Sequence, residues 1–279
     1  MADVEVELGD GVLLCRLNRP DAGNPLTGPL LRAFVAVLDE ARVDDQVRVV
    51  VTTGTGRMFS VGGDFGDIDE PPPGASLSDL LHANYGDTSE LALADRRADR
   101  LGPGRQALAI RTFDKPTIAA VNGPTAGGGL AVAMLHDFRI ASELARFTTA
   151  FVHLGLVAEM GLSQTLLRAA GPEAAMELFL TGRQVGAEEA RQLGIVGRVV
   201  PHEQLLDTAM ELATRLAAQP PLAVQLIKRT VLRAWDTSFA DQLEVEWPYQ
   251  DTAFSGAESR QAVEAMIART RSKSSRPKG

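Results

Sequence analysis

The stretch KPTIAAVNGPTAGGGLAVAMLHDFRIAS, Lys115 to Ser142, constrains the fold most. Ile118–Val121 is a short apolar run, the pattern of a strand buried on both faces. Asn122-Gly123-Pro124 breaks it. The triplet Gly127-Gly128-Gly129 then leads into a short apolar helix, Leu130–Leu135, and Phe138–Ala141 reads as the next strand. Strand, glycine turn, helix and strand in such quick succession predict an α/β layer structure.

The same grammar runs upstream. Val12–Leu17 reads as a strand stopped by Asn18-Arg19-Pro20. Thr27 is placed to cap a helix reaching about Arg42, with Leu30, Leu31, Phe34, Val35 and Leu38 on one face. Val47–Thr52 is a second buried strand, and Gly54, Gly56, Gly62, Gly63 and Gly66 crowd the loop after it. From Asp67 the texture changes. Pro71-Pro72-Pro73 interrupts an acidic loop, and a polar helical pattern then runs to Arg111, so residues near 67–111 read as an insertion. The remainder is helical over Glu173–Thr181, Ala187–Leu193, Glu203–Ala218, Pro221–Trp235, Ser238–Thr252 and Gly256–Arg271. Gly182 and Gly194 stand as helix stops.

Composition excludes several classes. The 28 basic and 36 acidic residues leave a net charge of -8, with no basic surface to suggest nucleic acid as a partner. Hydrophobic residues make up 45%, enough for a sizeable core. The single cysteine, Cys15, excludes an internal disulfide and any cysteine-rich metal site. The four histidines lack metal-ligand spacing, so no metal site is expected. The acidic start lacks the basic and apolar regions of a secretory signal, and no apolar stretch is long enough to span a bilayer. The expectation is a cytoplasmic protein without a membrane partner.

Two glycine segments carry the chemical interest: Phe59-Ser60-Val61-Gly62-Gly63-Asp64-Phe65 and Asn122 to Leu130. Glycine at such places serves turns. A glycine run opening a helix also aims free N–H groups at an anion or oxyanion. Spacing alone leaves both readings open. Neither segment is a Walker loop or a dinucleotide fingerprint.

The segment from Lys115 to Ser142 resembles the signature of the enoyl-CoA hydratase/isomerase (crotonase) superfamily. LNRPDAGNPL, RMFSVGGDF, ARFTTAFVHLGLVAEMGLSQ and LTGRQVGAEEARQLGIVGRVVP agree with it in order, from about Gly11 to Arg271. The resemblance implies a crotonase-like ββα spiral core over residues 1–200, with the insertion near 67–111. A helical C-terminal part over 201–279 would then serve trimerisation or cover the pocket. It also implies an acyl-CoA thioester as substrate, with CoA arriving as part of that substrate, and a homotrimer or hexamer. By position, the backbone amides of Gly63 and Gly128 would form the oxyanion hole. Ala22, Gly62, Asp64 and Gly127 would lie along the substrate.

The catalytic acids depart from the family's hydratases, which use two glutamates. The first position, two residues beyond the glycine triplet, holds Ala131, and the second holds Phe151. Neither side chain can move a proton. Instead His153-Leu154-Gly155-Leu156-Val157-Ala158-Glu159-Met160-Gly161 resembles the H-L-G-x-x-P-E-G element of peroxisomal-type 3,2-enoyl-CoA isomerases, whose single base is the glutamate. Here the preceding proline is Ala158. The resemblance therefore implies Glu159 as the one catalytic carboxylate of an isomerase. A carboxylate there also suits the positive end of the predicted Gly161–Ala169 helix. Atypical hydration, decarboxylation or hydrolysis in the same superfamily, and acyl-CoA binding without turnover, are the alternatives. His136 is expected in the core, His153 as structural, and His82 and His202 at the surface. Asp64 is expected to fix its loop, while Asp67, Asp69 and Glu70 belong to a solvated acidic loop.

Overall fold

The computed structural model describes residues 2–63 and 102–274. Asp64, His82 and the insertion up to residue 101 lie outside the described residues. The first hairpin joins β1 (Val4–Gly9) to β2 (Val12–Leu17), antiparallel. Its two-residue turn is Asp10-Gly11, both at positive φ (50° and 78°), the twist-matching form for a tight hairpin.

Helix α1 (Gly28–Val43) begins at Thr27, whose hydroxyl accepts the Leu30 N–H at 3.2 Å. It ends where the Lys115 ammonium donates to the carbonyls of Ala41 and Asp44, both at 2.7 Å. Its buried face is Leu30, Leu31, Phe34, Leu38 and Ala41. Complete burial of a side chain such as Phe34 contributes roughly 1.5–3 kcal/mol.

Next come β3 (Val49–Gly54), α2 (Gly104–Arg111), β4 (Thr117–Val121), β5 (Thr125–Ala126), α3 (Gly128–Leu135), β6 (Phe138–Ser142) and β7 (Arg146–Thr148). Then follow α4 (Leu162–Ala170), α5 (Pro172–Thr181), β8 (Val185–Gly186), α6 (Ala187–Gln192) and β9 (Arg198–Val200). The C-terminal helices are α7 (Leu205–Ala217), α8 (Pro221–Arg233), α9 (Phe239–Ser255) and α10 (Ala257–Ser274).

The main sheet has the order β1-β2-β3-β4-β6-β9, parallel from β2 onward. A second sheet, β5-β7-β8, is small. Parallel strands need cover on both faces, and the period-2 alternation supplies it. Val12, Leu14, Val49, Val51, Ile118, Ala120 and Ile140 pack with Leu205, Ala209 and Ala213 of α7. Cys15, Leu17, Val50, Ala119 and Val121 face the larger core with α1 and α3. Every residue of α3 is buried, so its apolar sequence faces protein on all sides.

β1, an edge strand whose residues are exposed except for Val4, is not among the sequence expectations, although Val4, Val6 and Leu8 alternate with Glu5 and Glu7. The strand expected at Val47–Thr52 runs instead over Val49–Gly54. The Val47 N–H is taken by the Asp44 carbonyl in a turn, while Thr53 and Gly54 pair with Arg16 and Leu17 of β2. At its far end, the region expected as an insertion emerges as α2 and leads into β4.

Candidate active site

The site forms at the C-terminal ends of β3 and β4. Asn122, just past β4, binds the two ends together. Its side-chain oxygen accepts the Gly54 N–H at 3.1 Å and its amide donates to the Gly56 carbonyl at 3.0 Å. Asn24 does the same for the loop after β2: it accepts from the Arg19 N–H at 2.8 Å and donates to the carbonyls of Thr55 and Met58, at 2.9 and 2.8 Å. That loop then pairs with the first glycine segment. The Val61 N–H donates to Gly23 and the Leu26 N–H to Gly62, at 3.0 and 2.7 Å. Ala22 lies exposed on the Pro20–Ala22 turn beside this seam, and Gly62 lies within it.

The second glycine segment crosses the first. The Ala126 N–H donates to the Ser60 carbonyl, and the Gly127 N–H to the Thr148 carbonyl, both at 3.0 Å. Gly62 has φ 88°, and a side-chain carbon there would stand 2.6 Å from the Ala126 carbonyl oxygen and 3.2 Å from the Gly128 nitrogen. Gly127 has φ 49° and ψ -118°, a conformation essentially reserved for glycine. The turn reading and the donor reading thus both apply. These glycines let the Gly62–Gly63 turn lie directly against the first residue of α3. The ladder bond at the Leu26–Gly63 bridge uses the Gly62 carbonyl rather than the Gly63 amide. As the first residue of α3, Gly128 presents an N–H that has no partner within the helix.

Glu159 comes to the same place from the opposite wall. Its Oε1 stands 3.5 Å from where a side-chain carbon on Gly128 would be. Leu26 Cδ1 and Met160 Sδ stand 3.4 and 3.9 Å from that point, and Phe151 lies against Gly127 next door. Among the described residues, no hydrogen bond or ion pair reaches the Glu159 carboxylate. Burial without a compensating partner pushes its pKa above the ordinary carboxylate value. It does not cap a helix: α4 begins after Gly161, which makes no side-chain cap bond, and only the Glu159 carbonyl serves there, accepting the Leu162 N–H at 3.0 Å.

The structure therefore brings together Glu159, Gly128, Gly127, Gly62 and Gly63. Ala131 is wholly buried in α3. Leu26 and Met160, which line the approach, were not expected as site residues, although both lie in the segments that carry the family resemblance. His136 is a satisfied core residue. Its Nδ1 donates to the Val132 carbonyl at 2.8 Å, so Nε2 accepts from the Thr52 hydroxyl at 2.9 Å, and burial lowers its pKa to about 4. His153 and His202 are exposed.

A lone desolvated carboxylate opposite a helix-start amide suits removal of a proton beside a carbonyl whose oxygen takes up negative charge. Known proteins agree with this architecture. The model of the enoyl-CoA hydratase/isomerase family matches residues 7–273. A probable enoyl-CoA hydratase, EchA12, of Mycobacterium tuberculosis is 40% identical over 223 residues, covering 80% of this chain and 74% of that protein. The 1,2-epoxyphenylacetyl-CoA isomerase of Escherichia coli is 35% identical over 261 residues, 93% of each chain. A crystal structure of an enoyl-CoA hydratase subunit from Geobacillus kaustophilus superposes with a TM-score of 0.83 at 31% identity, covering 96% of this chain and 95% of that one. With its α/β crotonase fold, the chain belongs to the enoyl-CoA hydratase/isomerase family.

Proposed function

We propose that this enzyme acts on acyl-CoA thioesters as a 3,2-enoyl-CoA isomerase, with Glu159 as its single acid–base group. One observation carries the reading: Glu159 Oε1 stands 3.5 Å from the side-chain position of Gly128, while by the resemblance Ala131 and Phe151 occupy the positions where the family's hydratases hold glutamates. In this reading the thioester oxygen lies on the amides of Gly63 and Gly128, each worth about 2.7–4 kcal/mol to the enolate-like transition state. Glu159 takes a proton from C2. Its raised pKa makes the carboxylate a better base and keeps the acid form able to return the proton to C4. Ala22, Gly62, Asp64 and Gly127 would lie along the thioester and its CoA, with no further cofactor required.

The same proposal assigns residues 201–279 to assembly into a trimer or hexamer. Phe239 and Trp247 support it: both sit on α9 and are 82% and 72% exposed in the single chain, an unfavourable arrangement unless another subunit covers them. Sedimentation velocity at micromolar concentration would give a monomer if this assignment is wrong.

The test of activity is parallel incubation with a 3-enoyl-CoA and a 2-enoyl-CoA, using wild type and Glu159→Gln. Conjugated thioester from wild type alone, with little hydration, is the expected result. Rapid hydration of the 2-enoyl ester, the activity named for the mycobacterial relative, would overturn it.

A further inference from the structure

The N-terminal end of the main sheet, opposite the active site, carries a cavity of about 550 Å³. It lies between α4, α7, α8 and the starts of β4 and β6. That volume is ample for a small molecule. We propose that it binds a monocarboxylate with an aliphatic body, held by the Arg111 guanidinium, at a second site independent of Glu159.

The two ends of the cavity differ. The inner end is closed by the Lys228–Asp137 pair at 2.6 Å, whose side chains are only 8% and 17% exposed. Each of these charges is answered by the other. The outer end, where Trp235 is 38% exposed, is cationic. Arg111 and Arg168 both lie over the Trp235 ring, 4.1 and 4.8 Å from its centre. Asp236 takes Arg168 in an ion pair at 2.7 Å. Arg139, also in the lining, donates to the carbonyls of Ile195 and His136 at 2.6 and 2.9 Å. Arg111 has no such answer. Among the described residues, no oxygen accepts a hydrogen bond from its guanidinium and no carboxylate pairs with it. Burial and the Arg168 charge lower its pKa against the opposing fields of Asp137 and Asp236. Two guanidinium groups on one indole, one of them without a counter-anion, form a place that an anion would relieve.

The lining also selects the kind of anion. A guanidinium fork matches a carboxylate in a planar, two-bond pairing. Leu216, Val224, Ile227 and Val231 give the cavity an aliphatic flank. A carboxylate on Arg111 would lay its chain along that flank, out of water. An inorganic anion would leave the flank wet, and a neutral chain would leave Arg111 unpaired. The whole chain carries a charge of -8, so general attraction of anions does not account for such binding.

The test is isothermal titration calorimetry of the full chain with octanoate at neutral pH, beside octan-1-ol and inorganic phosphate. One octanoate per chain is expected, with the other two ligands weaker by about tenfold or more. Arg111→Met should weaken octanoate by about tenfold or more. Val231→Trp, which fills the cavity, should abolish binding, and Glu159→Gln should leave it unchanged. In a Trp247→Phe background Trp235 is the one tryptophan, so its fluorescence should follow the calorimetric isotherm. No octanoate binding by wild type would overturn the proposal, as when a second copy of the chain covers the cavity. Equal binding of phosphate or octanol would overturn it as well, and so would a Trp235 signal that octanoate leaves unmoved. These outcomes stand even if Arg111→Met fails to fold. Full affinity in a folded Arg111→Met, or a changed affinity in Glu159→Gln, would place the ligand elsewhere and overturn it too.

Discussion

The two ends of the main sheet handle buried charge in opposite ways. At the N-terminal ends of β4 and β6, Asp137 and Lys228 form an ion pair at 2.6 Å. The Asp137 carboxylate also accepts from the Thr117 N–H and hydroxyl, at 2.8 and 3.0 Å, and the Lys228 ammonium donates to the Lys115 carbonyl at 2.7 Å. Lys115 in turn holds the end of α1. At the C-terminal ends, Glu159 lies against apolar side chains and an open helix start, and nothing described neutralises it. The first end is saturated and docks helices. The second leaves a charge unsatisfied, which costs stability and gives a reactive base.

Glu159→Gln tests that contrast hardest. Loss of the sole acid–base group should lower kcat by about 10²–10⁴-fold, read on a 3-enoyl-CoA. Because burial raises the Glu159 pKa, the fold favours its neutral form. Its contribution is fully present in acid and is lost as pH rises through the folded-state pKa. Glu159→Gln should therefore be more stable than wild type at pH 7 by chemical denaturation, with the gain vanishing in acid. A mutant equally active and no more stable would erase the distinction between the two ends.

Lys228→Met probes the saturated end. Removing one partner of a buried pair leaves Asp137 uncompensated, so the expected loss is about 3–5 kcal/mol of stability, read by urea denaturation. Its effect on kcat should be far smaller than that of Glu159→Gln.

His136 sharpens the comparison with pH. Its pKa is lowered to about 4 from 6.5, chiefly by burial. The unfolded chain takes up a proton first, so stability falls as pH drops from about 6.5 to about 4, by about 3 kcal/mol in all. This component should be missing from the pH-dependent denaturation of His136→Gln.

The smallest expected effect is Thr27→Ala. It deletes the cap of α1 and should cost about 1 kcal/mol, with kcat unchanged when stability is followed by thermal melting.

Much of the fold was legible because it depends on local patterns. Thr27 and the apolar face behind it mark α1, and the glycine triplet before Leu130 marks the entry to α3. Glu159 was legible only through a motif, since neither its isolation nor its nearness to Gly128 follows from spacing. β1 was legible too, in the alternation of Val4, Val6 and Leu8 with Glu5 and Glu7 and in the hairpin signal Asp10-Gly11, although the expected strands begin at Val12. Asn24 and Asn122 look like ordinary turn formers, and only the folded chain reveals that they bind loops distant in sequence. The Lys228–Asp137 pair is invisible for the same reason: attraction between charges far apart along the chain leaves no local pattern.

The enclosure of α3 bears on how such an enzyme can diversify. A helix with no exposed residue has no free face on which to vary, so the amide at its start is fixed by the whole core. Variation is far less restricted at the exposed positions of the two neighbouring segments, residues 21–22 and 152–154. A library confined to those two segments should shift substrate preference while keeping the fold, whereas one spread over Gly127–Leu135 should yield mostly inactive, misfolded chains.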